Sequence, residues 1–303
     1  MRAVLRRAGT GVVVLWAAAT AAYLALLAAP GSTVDTIVGE SADTPLIRAQ
    51  IVQEWRLDRP AVVQYLDYLW RALHGDLGRS YVLHRPVRAV VGEQLLPTVT
   101  LALSAAGLGV ALALVLALTT RRTWARRVSS PAELVLVSTP PFLIGIVLLS
   151  VFSFRLGLFP VSGGDGFAAL VLPAVTLALP IAGVLTQVLR DGLDRALDEP
   201  FTVTARARGL GERAVLVRHA LRHALLPAVT LVGWLAGVLL GGAVIIEQVF
   251  GRPGLGQVTL RAVTGKDMPV VLAVVVLSAL AYVLLNTAAD LAYLLIDPRL
   301  RRS

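Results

Sequence analysis

Of the 303 residues, 56% are hydrophobic and only 16% charged, where a soluble domain carries roughly a quarter of its residues as charges, so a water-soluble globular chain is excluded. Lysine and arginine number 28 against 19 acids, a net charge of +9, yet most of that charge flanks apolar runs, where anionic lipid explains it more simply than nucleic acid does. The absence of cysteine excludes disulfides, thiolate catalysis and thiolate metal sites.

Charge-free apolar runs occupy 9–34, 95–120, 134–154, 166–189, 224–246 and 268–289. Each is long enough to cross a hydrocarbon core about 30 Å thick at 1.5 Å per residue, which predicts an all-α integral membrane protein of six spans. Arg2, Arg6 and Arg7 before the first run resemble a secretory leader, but 9–29 exceeds the roughly 7 to 15 residues of a leader core, so the run reads as a retained helix. The N-terminus, the 2–3 link, the 4–5 link and the C-terminus share one side and hold seventeen arginines. The two short links opposite hold only Arg155, Arg252, Arg261 and Lys266. The positive-inside bias therefore puts both termini in the cytoplasm. The organisation is a tail and first span over 1–30, an external link over 31–94, a five-helix core over 95–297 and a cytoplasmic tail over 298–303.

Within the external link, short helices are expected over 45–55 and 60–74, the second with Val63, Leu66, Leu69 and Leu73 on one apolar face. That face either lies on the bundle or bilayer or docks an external partner. Pro140 and Pro141 in span 3, and Pro173 and Pro180 in span 4, each remove a backbone donor and bend their helices, which suits a translocation pathway as well as static kinks.

The stretch 198–227 between spans 4 and 5 is unusually polar. Asp198-Glu199-Pro200 is a helix start, with acids before a proline that fits the first turn. A short helix is expected over 201–208, ended by Gly209 in the left-handed conformation that glycine accepts. A second helix from Glu212 has Ala214, Val217, Leu221 and Leu225 on one face with Arg218 and Arg222 beside it, and turns at Pro227 into span 5. Thr204-Ala205-Arg206-Ala207 is small, polar and unsuited to a bilayer; it fits a groove on another protein. His219 and His223 are four apart, but without a third ligand a basic interfacial face is the better reading than a metal pair. The only lysine, Lys266, is not in a phosphate-binding glycine loop, and His-Glu-x-x-His and Gly-x-Ser-x-Gly are absent, so the chain carries no ATPase site of that kind and binds no cofactor itself.

In span 5, Gly233, Gly237 and Gly241 form a smooth ridge for helix packing, within the bundle or between two subunits. Span 6 carries Asn286 and Asp290 and ends at Asp297-Pro298. Asp290 reads as a partner for a basic loop rather than a proton relay. Gln187, Glu247 and Asn286 are candidate pathway residues.

These tracts resemble the permease subunits of binding-protein-dependent ABC importers in the dipeptide, oligopeptide and nickel subgroup, over nearly the whole chain. The similarity runs through Leu57-Asp58-Arg59-Pro60, Gly75-Asp76-Leu77-Gly78-Arg79-Ser80, Leu96-Pro97-Thr98 and Leu158-Phe159-Pro160-Val161-Ser162-Gly163. It continues through Leu172-Pro173-Ala174-Val175-Thr176, Thr204-Ala205-Arg206-Ala207-Arg208-Gly209-Leu210, Glu247-Gln248-Val249-Phe250, Pro253-Gly254-Leu255-Gly256 and Asp297-Pro298-Arg299. The resemblance implies a type I ABC importer permease fold in the inner or plasma membrane, with residues 204–210 as the helix that couples to an ATPase subunit. Val203-Thr204-Ala205 stands where the general pattern has Glu-Ala-Ala, so no glutamate contact carries over. The implied partners are a second homologous permease, one or two cytoplasmic ATPase subunits that hold ATP and Mg, an external solute-binding protein and membrane lipid. The implied cargo is a di- or oligopeptide, the alternative being nickel or a metal chelate. From another class, an ion-gradient-driven secondary transporter would want buried carboxylates, and Asp290 is its one support.

Overall fold

A computed structural model describes the backbone at 2–38, 44–120, 123–163 and 166–296, and the side chains there except at 2–8, 36, 123, 232–233 and 290–296. Among the described residues the chain is helical apart from one isolated bridge, Arg79 to Pro86. Four helices contain stretches long and apolar enough to cross a membrane: α1 (Arg2–Ala28), α5 (Val87–Thr119), α8 (Phe167–Asp198) and α14 (Met268–Ile296). Two bent pairs raise the number to six if each pair is one span. The first joins α6 (Thr123–Ser138) to α7 (Pro141–Leu148) and its π-helical continuation Leu149–Arg155, bent by 107°. The second joins the helical stretch Glu212–Thr230 to Trp234–Val249, bent by 56°.

The prolines explain one break and not the others. Pro140 sits at φ −57°, ψ 134°, because a residue preceding proline is excluded from the helical region and neither Pro140 nor Pro141 has an N–H to donate. The run expected at 134–154 is thus a right-angled pair rather than one rod. By contrast, α8 runs unbroken through Pro173 and Pro180. The turn expected at Pro227 falls later, since helix continues through it to Thr230 and the axis changes after Leu231.

One unit comprises Met1–Thr98 and Pro253–Val283. It contains α2 (Thr33–Val38), α3 (Pro45–Glu54), α4 (Ala61–Leu73) and α13 (Leu255–Thr264). Of the apolar stripe expected on α4, Leu69 packs inward while Val63, Leu66 and Leu73 stay exposed, and Tyr68 joins Tyr23 and Leu272 in the buried cluster. The tyrosines win because they bury large rings, and Tyr23 and Tyr65 also satisfy their hydroxyls. Tyr23 Oη donates to Ala61 O at 2.6 Å, Tyr65 Oη lies 2.5 Å from Thr20 Oγ1, and the Tyr23 and Tyr65 rings sit 5.0 Å apart. Asp267, 2% exposed, accepts from Ser80 Oγ and from the backbone N–H groups of Tyr81 and Val82 at 3.1 and 3.3 Å. Lys266 Nζ donates to Ala29 O at 2.6 Å and also to Gly31 O.

The other unit comprises Val99–Arg252 and Leu284–Ser303. It holds α9 (Pro200–Ala207), α10 (Glu212–Ala214) with the π-helical Val215–Ala220, α11 (Leu221–Thr230) and α12 (Val232–Val249). Its core includes the fully buried Leu101, Leu177, Ile181, Leu193 and Ile246, and α8 is the axis on which α6, α7, α11 and α12 pack. Helix α11 lies so close to α8 that a Cβ on Gly192 would stand 2.9 Å from Ala224 Cα. Because backbone cannot move aside as a side chain tip can, Gly192→Ala is expected to cost about 1–3 kcal/mol by overpacking, read as a lowered unfolding temperature of the purified chain in detergent; an unchanged temperature would contradict this close approach.

Candidate functional site

The polar segment begins where α8 ends. Asp198 closes α8, Glu199 turns the chain with φ −74°, ψ 147°, and Pro200 occupies the first position of α9, where its missing N–H costs nothing. Thr202 is fully buried, with its hydroxyl 2.7 Å from Leu197 O and 2.8 Å from Glu199 O, so it fastens the start of α9 to the end of α8. Ala205 is buried on the same face. The opposite face presents Thr204, Arg206, Ala207 and Arg208 together with Val203, which is 59% exposed.

Gly209 ends α9 as expected, at φ +81°. Its N–H donates to Arg206 O at 2.9 Å and that of Leu210 to Ala205 O at 3.2 Å, the paired closing bonds of a Schellman motif. Leu210 then packs against the core that holds Ala205. Across this turn Arg206 Nε donates to Glu212 Oε1 at 2.8 Å, a bond that raises the pKa of the Arg206 guanidinium above its ordinary value. The pair is solvent-exposed and so orients Arg206 rather than stabilising the chain.

Of the seven residues expected to make the contact, Thr204, Arg206, Ala207, Arg208 and Gly209 face outward, whereas Ala205 and Leu210 are turned inward. Val203, which stands where the general pattern has glutamate, joins the outward face. In the following helix the fully buried positions are Val215, Ala220 and Ala224; of the expected stripe of Ala214, Val217, Leu221 and Leu225, the two leucines pack partly buried against that core, whereas Val217 is exposed. The π-helical turn at Val215–Ala220 is the reason: one extra residue per turn shifts the register, and a stripe counted at 3.6 residues fails across it. His223 stacks on Phe201 with ring centroids 4.7 Å apart, which ties α11 to α9. Among the described residues no three His, Asp or Glu side chains gather as a metal site.

A buried ion pair lies two turns before Asp198. Arg190, 2% exposed, meets Glu133 of α6 through Nη2 to Oε1 at 2.7 Å and Nη1 to Oε2 at 3.2 Å. Its guanidinium also donates to Thr120 Oγ1 at 2.6 Å, Ser130 Oγ at 3.2 Å and Ser129 Oγ at 3.3 Å. Nearby, Arg126 bridges Asp194 at 2.7 Å and Asp191 at 3.4 Å on the surface. Arg190 thereby joins the residue that follows α5, the middle of α6 and the shaft of α8.

The candidate pathway residues fall in different environments: Gln187 is exposed, Asn286 is half-buried and Glu247 is fully enclosed. On α12, Gly237 and Gly241 are exposed with nothing within 4 Å of an added Cβ, flanked by Trp234 at 42% and Ile245 at 51% exposure. The packing contact within the unit is made instead by Gly242 on Leu177. Gly233 and Asp290 lie outside the residues whose side chains are described, and Asp297-Pro298-Arg299 and the tail lie outside the described residues altogether.

Four apolar spans, or six if each bent pair is one, with a polar two-helix segment between α8 and α12, match the fold of ABC importer permeases. A solved amino acid ABC transporter with histidines shares that fold, at TM-score 0.51 and 16% identity, over 66% of this chain and 91% of that one. The chain belongs to the binding-protein-dependent transport system inner membrane component family, whose model matches residues 109–302. It is 36% identical over 276 residues to the glutathione transport system permease protein GsiC of Salmonella choleraesuis (strain SC-B67), and 34% identical over 275 residues to that of Escherichia coli (strain K12). Both alignments cover 90% of either chain. This is the membrane component of a binding-protein-dependent importer.

Proposed function

We propose that the chain forms half of a translocation pathway for short peptides, which an external solute-binding protein delivers and which ATP hydrolysis in separate cytoplasmic subunits drives. A second homologous permease supplies the other half, and ATP and Mg reside in the one or two ATPase subunits. The observation that carries this reading is the two-sidedness of α9. Its Thr202 and Ala205 are sealed into the bundle, while Val203, Thr204, Arg206, Ala207 and Arg208 present a small, cationic surface to a partner. ATP binding moves the bundle only by as much as it favours one of two states, so the partner's groove must hold α9 differently in each. The seventeen arginines at the ends and links on one side favour a cytoplasmic position for this elbow. The open ridge of Gly237 and Gly241 gives the second permease a place for close backbone approach. Peptide cargo is favoured by the relatives named for glutathione, itself a tripeptide.

The test is uptake of labelled peptide by proteoliposomes holding the assembled importer. Uptake is expected to require ATP, to persist when the proton gradient is collapsed, and to fall about tenfold in Arg206→Glu, a loss of about 1.4 kcal/mol of coupling. Uptake that follows the gradient and ignores ATP would refute the reading.

A further inference from the structure

Helix α4 presents three faces. At about 100° per residue, Ala61, Tyr65, Tyr68 and Ala72 point to one side and pack in the cluster of Tyr23 and Leu272. Gln64, Asp67 and Arg71 point to a second side, where Asp67 pairs with Arg59 at 2.8 Å, Arg71 Nε donates to Asp67 O at 3.3 Å and Gln64 Nε2 donates to Arg59 O at 2.9 Å. Val62, Leu66, Trp70 and Leu73 point to the third, and each is between 57% and 81% exposed. An apolar strip about three turns long beside a solvated polar strip is the pattern of a helix that lies in a membrane interface.

What covers the strip follows from the depth of α4. The stretch Gly9–Ala28 of α1 has 20 residues, which at 1.5 Å each fill a hydrocarbon core about 30 Å thick from edge to edge. That edge is marked a second time, because Lys266 Nζ, two residues before α14 begins, donates to Ala29 O and Gly31 O. The end of α1 and the start of α14 therefore emerge together. Helix α4 sits below that level: Ala61 O accepts the Tyr23 hydroxyl at 2.6 Å, and Tyr65 Oη lies 2.5 Å from Thr20 Oγ1. Tyr23 and Thr20 are about 7.5 and 12 Å back along α1 from Ala28, and Leu272, which packs with Tyr68, is about 6 Å into α14 from Met268. Contacts on two spans, all within the unit of Met1–Thr98 and Pro253–Val283, thus set α4 at the roughly 5–10 Å depth of interfacial helices.

The chemistry of the strip agrees with that depth. Leu24 and Leu27, at the same level of α1, are 56% and 54% exposed, so the strip continues the apolar surface of a span. Trp70, its ring 4.5 Å from that of His74, is the residue type that collects at the boundary between acyl chains and headgroups. Arg59 and Arg71 are matched in number by Asp58 and Asp67, so the face carries no excess of positive charge for anionic headgroups. Hydrocarbon is what it fits.

We propose that α4 is an interfacial helix whose Val62, Leu66, Trp70 and Leu73 are buried in the acyl chains of the leaflet into which Ala28 emerges, the outer one in the topology given by the arginine bias, while Gln64, Asp67 and Arg71 stay in water. Lipid, and neither an external protein nor a second permease, covers this strip and holds the link 31–94 down on the bilayer. The assignment depends on the spans alone and not on the cargo or on the role of α9.

Spin labelling of the full-length chain in phosphatidylcholine nanodiscs tests this, and the absence of native cysteine leaves each introduced one unique. A nitroxide on Leu66→Cys or Leu73→Cys is expected to collide several-fold more with oxygen, which concentrates among acyl chains, than with a water-soluble nickel chelate; on Arg71→Cys the order should reverse. The oxygen preference at Leu66 and Leu73 should persist in the assembled importer with its solute-binding protein added. Without any label, brominated phosphatidylcholine should quench the part of the tryptophan emission that Trp70→Phe removes. A preference for the chelate at Leu66 and Leu73, loss of oxygen access on assembly, or Trp70 emission untouched by brominated lipid would each overturn the proposal. ATP-driven peptide uptake could stand beside any of these results, so failure here is distinguishable from failure of the transport reading.

Discussion

Truncation of Glu133 to alanine is expected to destabilise the chain by about 3–5 kcal/mol, because it strands the Arg190 guanidinium, 2% exposed, without a counter-charge. Thr120, Ser129 and Ser130 would still accept hydrogen bonds from it, but hydroxyls do not neutralise a cation that has been withdrawn from water. Arg190→Ala should cost a comparable amount for the converse reason. Removal of both charges with apolar residues of similar volume, Glu133→Leu with Arg190→Met, should recover most of the loss, since well-packed hydrophobic replacements of buried pairs are often neutral or stabilising. Thermal unfolding in detergent for the two single variants and the double variant measures the coupling directly. A double variant as unstable as the sum of the singles would show that the pair contributes little as a pair.

Gly209→Trp is expected to abolish peptide uptake while leaving most of the chain folded. At φ +81° a residue with a Cβ costs roughly 1–2 kcal/mol, small against a whole bundle but concentrated on the two closing bonds to Arg206 O and Ala205 O. The indole would also occupy the exposed face beside Ala207 and Arg208. Gly209→Asn is the control, because asparagine tolerates the left-handed region, and it should keep uptake within about threefold, under 1 kcal/mol. Peptide uptake and co-purification of the ATPase subunits, measured beside unfolding temperature, separate lost contact from lost fold. Normal uptake and co-purification in the tryptophan variant would remove α9 from the coupling role.

Much of this architecture was legible in the sequence because membrane spans and helix ends are local problems. The runs behind α1, α5, α8 and α14 were visible as gaps between charges, and the closure of α9 followed from one glycine after a polar turn. What escaped was set by distance along the chain. Glu133 and Arg190 border the charge-free runs 134–154 and 166–189, so each reads as the polar edge of a span, and Arg190 reads as one more flanking cation. Nothing in either neighbourhood reveals that the two edges face each other 57 residues apart. Ser80 and Asp267, 187 residues apart, are the same case. The α4 stripe failed at three of its four positions for another reason: counting apolar residues undervalues tyrosine, whose large ring buries readily despite its hydroxyl. In the helical stretch Glu212–Thr230 the periodicity itself was interrupted by a π turn.

The anchorage of α9 has a mechanical corollary. A push on Val203 or Arg206 meets a segment of eight residues riveted at Thr202 and stacked through Phe201 on His223, so little of the displacement is absorbed by flexing. In the coupling role proposed for α9 the displacement would be handed to α8 and α11, which approach so closely that a Cβ added at Gly192 would stand 2.9 Å from Ala224 Cα. Two rods so tightly seated would then move as a block, whereas a more compliant joint would take up the stroke as local bending.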